Sequence, residues 1–249
     1  MSELWRFADV ATDRFAAQAR DYDRYRPRYP EGVFEDIVDR AHLASGDGVV
    51  EIGAGTGIAT RPLVDRDLQV TAIEPSDTLA AMTKAKVTGE ADVVSGRFED
   101  FSTSSPIRLV AAFNAWHWVD PTIGVDRAAG MLESGGSLAL VWTEVVQWGE
   151  EPFGDRLVEV FEQTWNKRES FVDDSLQPIR DDGRFEEVLV RHHIFNRTLD
   201  AATFVAVTRT YGGNHTTEQY RAIERIINDD FGGAVTKIED AVLYLTRRR

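Results

Sequence analysis

The chain has 249 residues, of which 43% are hydrophobic, 28% charged and 10% aromatic, a composition typical of a soluble globular protein rather than a disordered or fibrous one. Its formal net charge of −14 repels phosphate backbones and anionic lipid surfaces, so we expect neither nucleic acid nor a membrane as a partner. Because the chain contains no cysteine, disulfides, thiolate metal ligands and a cysteine nucleophile are excluded. The length fits a single domain over residues 1–249.

Two further absences bear on location and on metals. Residues 1–15 mix acidic and basic side chains with short apolar pieces, and no apolar run reaches membrane length anywhere in the chain, so we predict a cytoplasmic protein. The few histidines are scattered along the sequence, and we expect no metal site.

The first predicted element is a helix near the amino terminus. Phe15, Ala19, Tyr22 and Arg26 are spaced four, three and four residues apart, which places them on one helical face. The prolines that follow should end this helix, and a second helix is predicted from residue 31 to about residue 44. We interpret residues 1–44 as lid helices, since Tyr22 and Arg26 could close over a ligand carboxylate. The alternative is an amphipathic helix with solvated arginines.

Residues 45–143 alternate between strands and helices. Apolar strands are predicted at residues 49–52, 69–73, 91–95, 107–113 and 137–142, with helices at 58–65, 76–87 and 122–132 and a turn at 133–136. Strands that are apolar on both faces and alternate with helices indicate a parallel sheet covered on both sides. This segment is the predicted cofactor-binding core of an α/β fold.

The last third, residues 144–249, breaks the repeat. Two strands are predicted at residues 187–196 and 240–246, and we expect them to pair antiparallel at one edge of the sheet. Between them, Tyr220, Ile223, Ile227 and Phe231 recur at helical spacing, which predicts a face turned towards the core. We interpret this part as substrate-cover helices and closing strands.

The most informative stretch is residues 49–60, where a buried strand runs into Gly53, Gly55 and Gly57 and then into a helix. Glycines let the backbone approach a ligand closely, and the amino end of the helix adds partial positive charge, so the turn suits a nucleotide-type ligand. A dinucleotide fingerprint requires a further glycine at the position of Ile58. The sequence therefore argues against NAD.

Two carboxylates accompany this turn. Glu74 ends the second predicted strand, where it could accept hydrogen bonds from both hydroxyls of a ribose. Glu51 lies two residues before Gly53 in an apolar strand, where an unpaired carboxylate is costly. It could face an ammonium group, directly or through water, or it could cap backbone N–H groups of the loop, and the two roles can coexist.

Five motifs, in order along the chain, resemble the class I S-adenosylmethionine-dependent methyltransferases, and within them the small-molecule type 11-like branch. These motifs are VVEIGAGTG at 49–57, AIEP at 72–75, VVSGRFEDF at 93–101, LVAAFNAWHWVDP at 109–121 and AAGMLESGGSLALVWTE at 128–144. The opening FAAQARDYDRYRPRYP at 15–30 and the closing DAVLYLTRR are also similar. The resemblance implies a Rossmann-like sheet of seven strands, mostly parallel with an antiparallel last strand and helices on both faces.

The resemblance also implies S-adenosyl-L-methionine as cofactor and S-adenosyl-L-homocysteine as product, and together with the residue patterns above it leads us to predict a set of cofactor-binding residues. That set comprises Tyr22, Arg26, Glu51, Gly53, Ala54, Gly55, Gly57, Glu74, Pro75, Phe98, Glu99 and Asn114. Where the family commonly has an acidic residue for the adenine amino group, this chain has Arg97, and Glu99 is the nearest carboxylate. Phe98 is expected to stack on the adenine or to offer its backbone N–H, and Asn114 to contact the methionine portion.

Methyl transfer from a sulfonium mainly requires positioning, which can contribute about 7–11 kcal/mol, whereas a general base typically adds about 10²–10⁴-fold. If a base is used, His117 is the best placed because it follows the fourth strand, although a histidine between two tryptophans could equally be packing. We predict transfer to a small-molecule acceptor, with oxygen preferred over nitrogen or carbon. The alternatives are an NAD-dependent oxidoreductase and a non-catalytic S-adenosylmethionine-binding protein.

Overall fold

The structure is a computed structural model that describes residues 14–161, 168–211 and 215–249. Its strands are β1 Gly48–Ile52, β2 Gln69–Glu74, β3 Asp92–Ser95, β4 Ile107–Phe113, β5 Leu132–Trp148, β6 Leu189–Asp200 and β7 Ala234–Arg247. They form one sheet in the order β3-β2-β1-β4-β5-β7-β6. The strands from β1 to β5 pair parallel, and β7 runs antiparallel to both of its neighbours. The mostly parallel sheet with an antiparallel last strand is thus confirmed.

Helices cover both faces of this sheet. They are α1 Ala19–Tyr25, α2 Glu31–Ala41, α3 Thr60–Val64, α4 Asp77–Val87, α5 Pro121–Met131, α6 Phe153–Phe161, α7 Arg168–Asp181, α8 Ala201–Thr210 and α9 Thr217–Asp230. Successive residues of β1 enter opposite cores, since Val49 belongs to the same buried cluster as Phe34 of α2, whereas Val50 belongs to the cluster of Ala128 of α5. Burial on both faces is why this strand is apolar at each position from Val49 to Ile52 except Glu51.

Side-chain caps fix where several helices begin. The Ser76 hydroxyl accepts a hydrogen bond from the backbone N–H of the first turn of α4, and Asp120 does the same for α5, whose first residue is Pro121. In α9, Thr216 and Gln219 form a reciprocal capping box. Each cap satisfies backbone donors that a helix leaves unpaired at its amino end.

The strands of the antiparallel half are longer than predicted. β5 spans residues 132–148 instead of 137–142, and β7 begins at Ala234 instead of Asp240. The turn predicted at 133–136 is a bulge within β5. In the pairing with β4, Ile107 lies opposite Leu132 and Leu109 lies opposite Ser137, so the residues between Leu132 and Ser137 bulge out of the register. Pairing between β5 and β7 continues as far as Trp148, so β-structure extends beyond the parallel core.

A second group of helices packs on these extended ends. Phe153 and Leu157 of α6, Phe204 of α8, and Ile223 and Ile227 of α9 share one buried cluster. The core-facing stripe predicted for α9 is confirmed at Tyr220, Ile223 and Ile227, which are buried, while Phe231 is half-buried. Among the helices of the described ranges, none is both long and apolar enough to cross a membrane.

Candidate functional site

Two adjoining cavities lie at the carboxyl ends of β1, β2 and β4. The space at the larger is about 870 Å³ and at the smaller about 430 Å³, in each case including space open to solvent. Tyr22, Gly53, Gly55, Phe113 and Asn114 border both cavities. A single extended ligand could therefore occupy the two together.

The glycine loop forms the wall between the cavities. Gly53 and Gly55 have φ values of +64° and +61°, a region that favours glycine. A Cβ atom at Gly53 would lie 2.6 Å from the Cβ of Ala115, so no side chain fits there. Gly57 borders neither cavity, and a Cβ atom there would meet Thr83 of α4 at 3.2 Å. This glycine allows the loop to pack on α4, and the ligand contact predicted for Gly57 stays a prediction.

Glu74 organises the loop from the end of β2. Its Oε2 atom accepts a hydrogen bond from the backbone N–H of Gly55 at 2.8 Å, and its Oε1 atom accepts one from Ser76 at 2.9 Å. Burial raises the pKa of this carboxyl, against the opposing effect of these two N–H donors. Glu74 is 4% exposed and borders the larger cavity.

Glu51 is placed differently. It is 2% exposed and borders the smaller cavity, and its Oε2 atom has no hydrogen-bond partner within the described ranges. Burial raises the pKa of Glu51 to about 8, the nearby Glu74 adds to that rise, and Thr60 and Lys86 oppose it. The alternative of a loop cap is wrong for Glu51, because Glu74 takes that role. A buried carboxylate oxygen without a partner is a place for a cationic ligand group.

Arg26 borders the smaller cavity from above. Its Nε and Nη2 atoms donate hydrogen bonds, both of 3.0 Å, to the hydroxyl and the carbonyl of Thr210, and its guanidinium lies 3.9 Å from the ring centroid of Tyr211 and 4.8 Å from that of Tyr22. No residue in the described ranges accepts a hydrogen bond from its Nη1 atom. The alternative of a solvated arginine is wrong, because this side chain is fixed in place with one nitrogen left for a ligand.

Helix α1, the predicted lid, lies beside both cavities, which Tyr22 borders. Its Tyr22 and the preceding Phe15 pack edge to face at 5.9 Å, and Phe15 packs edge to face against Trp118 at 6.2 Å. All three residues border the larger cavity. Asp23 of α1 accepts hydrogen bonds from the Thr56 hydroxyl at 2.9 Å and from the Lys86 ammonium at 2.5 Å. These contacts join the helix to the glycine loop and to α4.

The far end of the larger cavity carries Arg97, Phe98 and Glu99. Arg97 donates to Glu99 Oε1 at 3.1 Å, and the same oxygen accepts the backbone N–H of Asp120 at 3.0 Å. Phe98 is buried, with its ring tilted against that of Trp116. Arg97 therefore holds the Glu99 carboxylate in place, and Glu99 is the acidic residue that borders this end of the cavity.

Asn114 is held rigidly at the end of β4. Its φ is +53°, its Nδ2 atom donates to the Tyr29 hydroxyl and to the Thr143 hydroxyl, both at 2.8 Å, and its Oδ1 atom accepts the backbone N–H of Thr143 at 3.0 Å. Thr143 borders the smaller cavity and was missed from the sequence, although its place near the end of the fifth predicted strand is a usable signal.

His117 borders neither cavity. The indole Nε1 of Trp142 donates to its Nδ1 atom at 3.1 Å, which places the proton of the neutral ring on Nε2. The proposed role of His117 as a base stays a prediction, and this geometry gives it no direct access to the cavities.

The other predicted site residues come together. Tyr22, Arg26, Glu51, Gly53, Ala54, Gly55, Glu74, Pro75, Phe98, Glu99 and Asn114 all border one or both cavities. Apolar wall residues such as Leu79 and Phe113 were not singled out from the sequence, because burial in the core predicts the same residue types. No group of acidic or histidine side chains in the described ranges could hold a metal ion.

Comparison with known proteins places these features in context. The ribosomal RNA adenine dimethylase family matches residues 30–108. An uncharacterized methyltransferase of Mycobacterium tuberculosis is 32% identical over 128 residues, covering 51% of this chain and 51% of that protein. The chloroplastic 2-methyl-6-phytyl-1,4-hydroquinone methyltransferase of Arabidopsis thaliana is 31% identical over 134 residues, covering 51% of this chain and 40% of that protein. The chain thus spans about half the length, or less, of these curated relatives.

Solved structures show the same fold. A S-adenosylmethionine-dependent methyltransferase from Geobacter sulfurreducens, in complex with S-adenosyl-L-homocysteine, aligns with a TM-score of 0.52 and 13% identity over 92% of this chain and 96% of that one. At this identity the likeness concerns the fold alone.

Proposed function

We propose that the chain is a class I S-adenosylmethionine-dependent methyltransferase, as its similarity to curated methyltransferases supports, and that it transfers a methyl group from S-adenosyl-L-methionine to a small-molecule acceptor. The observation that carries this proposal is the pairing of groups at the smaller cavity. Glu51 offers a carboxylate oxygen without a partner, and Arg26 offers Nη1. An amino acid presents the complementary pair, an ammonium and a carboxylate, on one carbon atom.

The larger cavity suits the adenosine part. Its walls are mainly apolar, which favours a nucleobase, and Glu74 borders it with lone pairs left on both oxygens after accepting one N–H each. We assign the ribose hydroxyls to Glu74 and the adenine to the end that carries Phe98 and Glu99. The glycine loop between the cavities then lies beside the sulfur atom.

In the proposed reaction, a lone pair of the acceptor forms a bond to the methyl carbon while the carbon–sulfur bond breaks, and its electron pair stays on sulfur as a thioether. The chain contributes position and exclusion of water, through the glycine loop below and α1 above. Since His117 borders neither cavity, we propose transfer without a protein base to an acceptor whose attacking oxygen is already ionised.

The alternatives are less well supported. An NAD pyrophosphate would have to lie near the buried Glu51 carboxylate, which repels it once ionised, and Ile58 replaces the last fingerprint glycine. A non-catalytic binding protein would use the same cavities. The family match to RNA adenine dimethylases covers residues 30–108, which belong to the cofactor-binding part, and the net charge of −14 disfavours an RNA acceptor.

The first test is thermal unfolding of the purified protein with S-adenosyl-L-homocysteine, S-adenosyl-L-methionine or NAD, because a ligand that binds the native state raises the unfolding temperature. We expect a shift with the first two ligands alone. A panel of small acceptors, with RNA as a separate arm, is then screened for release of S-adenosyl-L-homocysteine. A shift with NAD alone would overturn the proposal, and cofactor binding without turnover on any acceptor would favour the binding protein.

Glu74→Ala is expected to weaken S-adenosyl-L-homocysteine binding by about 1.5–3 kcal/mol, because charged hydrogen bonds to the ribose are lost. Titration calorimetry measures this change. Because Glu74 also accepts two loop N–H groups, the unfolding temperature of the free variant must be measured in parallel. Unchanged affinity in a folded variant would remove Glu74 from the site.

A further inference from the structure

Arg26 belongs to a closed ring of contacts outside the two cavities. Its guanidinium stacks on Tyr211, and the Tyr211 hydroxyl accepts a hydrogen bond from Lys237 Nζ at 2.7 Å. Lys237 pairs with Glu239 at 3.0 Å, and Glu239 pairs with Arg197 at 2.5 Å. The Nη1 atom of Arg197 donates to the backbone carbonyl of Tyr25, the neighbour of Arg26, at 3.2 Å, which closes the ring.

This ring joins distant parts of the chain. Tyr25 and Arg26 end the lid helix α1, Tyr211 follows the last residue of α8, Arg197 lies on β6, and Lys237 with Glu239 on β7. Lys237 is 3% exposed and Glu239 1% exposed, so their positions are set by packing. These contacts therefore attach the end of the lid helix to β6, β7 and the residue after α8, next to Arg26, which borders the smaller cavity.

The ring carries an excess of positive charge. It contains three cationic side chains, those of Arg26, Arg197 and Lys237, and one carboxylate, Glu239. Although burial raises the pKa of Tyr211, the charges of Lys237 and Arg26 together hold it below its usual value. Lys237 is buried and the two arginines are half-buried, and positive charge removed from water is costly unless an anion compensates it. Arg26 borders the cavity where an anion can enter.

We propose that Tyr211 is a positioning residue for the carboxylate of the cofactor. The Tyr211 ring covers one face of the Arg26 guanidinium, Thr210 accepts from Nε and Nη2, and Lys237 donates to the Tyr211 hydroxyl. These contacts leave Nη1 available to a ligand in the smaller cavity, which Arg26 borders. This inference rests on the proposed function. It adds that Thr210, the last residue of α8, and Tyr211, which follows it, determine how tightly the amino-acid end of the cofactor is bound.

The test compares two ligands by titration calorimetry. One is S-adenosyl-L-homocysteine, and the other is its decarboxylated analogue, which keeps the amine and the adenosine. For Tyr211→Leu, loss of the cation–π contact is expected to weaken the first ligand by about 5- to 30-fold and the second by less than about twofold. Tyr211→Phe keeps the ring, and we expect it to recover most of the lost affinity.

A double variant establishes the route of the effect. If Tyr211 acts through Arg26, Arg26→Gln combined with Tyr211→Leu binds S-adenosyl-L-homocysteine no more weakly than Arg26→Gln alone. Should Tyr211→Leu fail to fold, Thr210→Val replaces it, because it removes the hydroxyl that accepts from Arg26 Nε. Equal weakening of both ligands, or full additivity in the double variant, would overturn the inference. Absence of binding by the unaltered protein would instead overturn the proposed function.

Discussion

Replacing Glu51 with glutamine is expected to shift ligand affinity and protein stability in opposite directions. In the free protein, the folded-state pKa of Glu51 is about 8, against an ordinary value of 4.5. Its contribution to the free energy of unfolding is fully present below pH 4.5 and is lost as the pH rises through 8. Glutamine has no proton to lose, so the free Glu51→Gln protein should be more stable at pH 8.5, by up to about 4 kcal/mol.

Binding of S-adenosyl-L-homocysteine should respond in the reverse sense. The glutamine cannot pair with the ammonium of the ligand, and loss of a charged hydrogen bond predicts a dissociation constant that is about 10- to 100-fold higher. Because the ammonium requires the ionised carboxylate, the affinity of the unaltered protein should rise about tenfold per pH unit below pH 8. The affinity of the variant should change little over the same range.

The measurements are calorimetry at pH 6, 7 and 8, and thermal unfolding without ligand at pH 5 and 8.5. Glu90→Gln is the matched control, since Glu90 is an exposed carboxylate paired with Arg61 on the surface. It should alter neither property. A Glu51→Gln protein that is less stable at pH 8.5 would show that ionising the buried carboxyl does not destabilise the free protein. Unchanged affinity for the ligand would show that this carboxylate has no part in recognising the ammonium.

The parallel half of the fold was predictable because its signals are local. β1, β2, β3 and β4 lie within a residue of their predicted bounds at each end, since each is a short apolar run followed by a turn. The antiparallel half was predicted less well. β5 and β7 extend past their apolar segments because they pair with each other as far as Trp148 and Lys237. That pairing joins residues nearly a hundred positions apart and leaves no periodic pattern at their ends.

The same distinction applies to the site. Gly53, Glu51 and Glu74 follow from one strand, one turn and the next strand, and all three border the cavities. The position of the Arg26 side chain depends on its hydrogen bond to Thr210, which is 184 positions away. The orientation of the His117 ring depends on a hydrogen bond from the indole of Trp142. Local spacing placed each side chain on the correct element, but partners brought together by the fold decided what it contacts.

Gly53→Ala is expected to destabilise the free protein far more than Gly55→Ala, although the two glycines share nearly the same backbone conformation. Their φ values are +64° and +61°, so each substitution incurs the cost of a left-handed residue, about 1–2 kcal/mol. The difference lies in the available space. A Cβ at Gly53 would lie 2.6 Å from the Cβ of Ala115, whereas the nearest atom to one at Gly55 is 4.0 Å away.

Forcing an extra methyl group into this contact should add about 1–3 kcal/mol, so Gly53→Ala is expected to lose about 2–5 kcal/mol in total. Denaturation by urea without ligand measures the loss independently of any cofactor. Ala115→Gly in the Gly53→Ala background removes the opposing methyl group and should recover the steric part but not the conformational part. Equal losses for the two single variants, or no recovery in the double variant, would mean that the loop relaxes and that Ala115 does not set the position of the glycine turn.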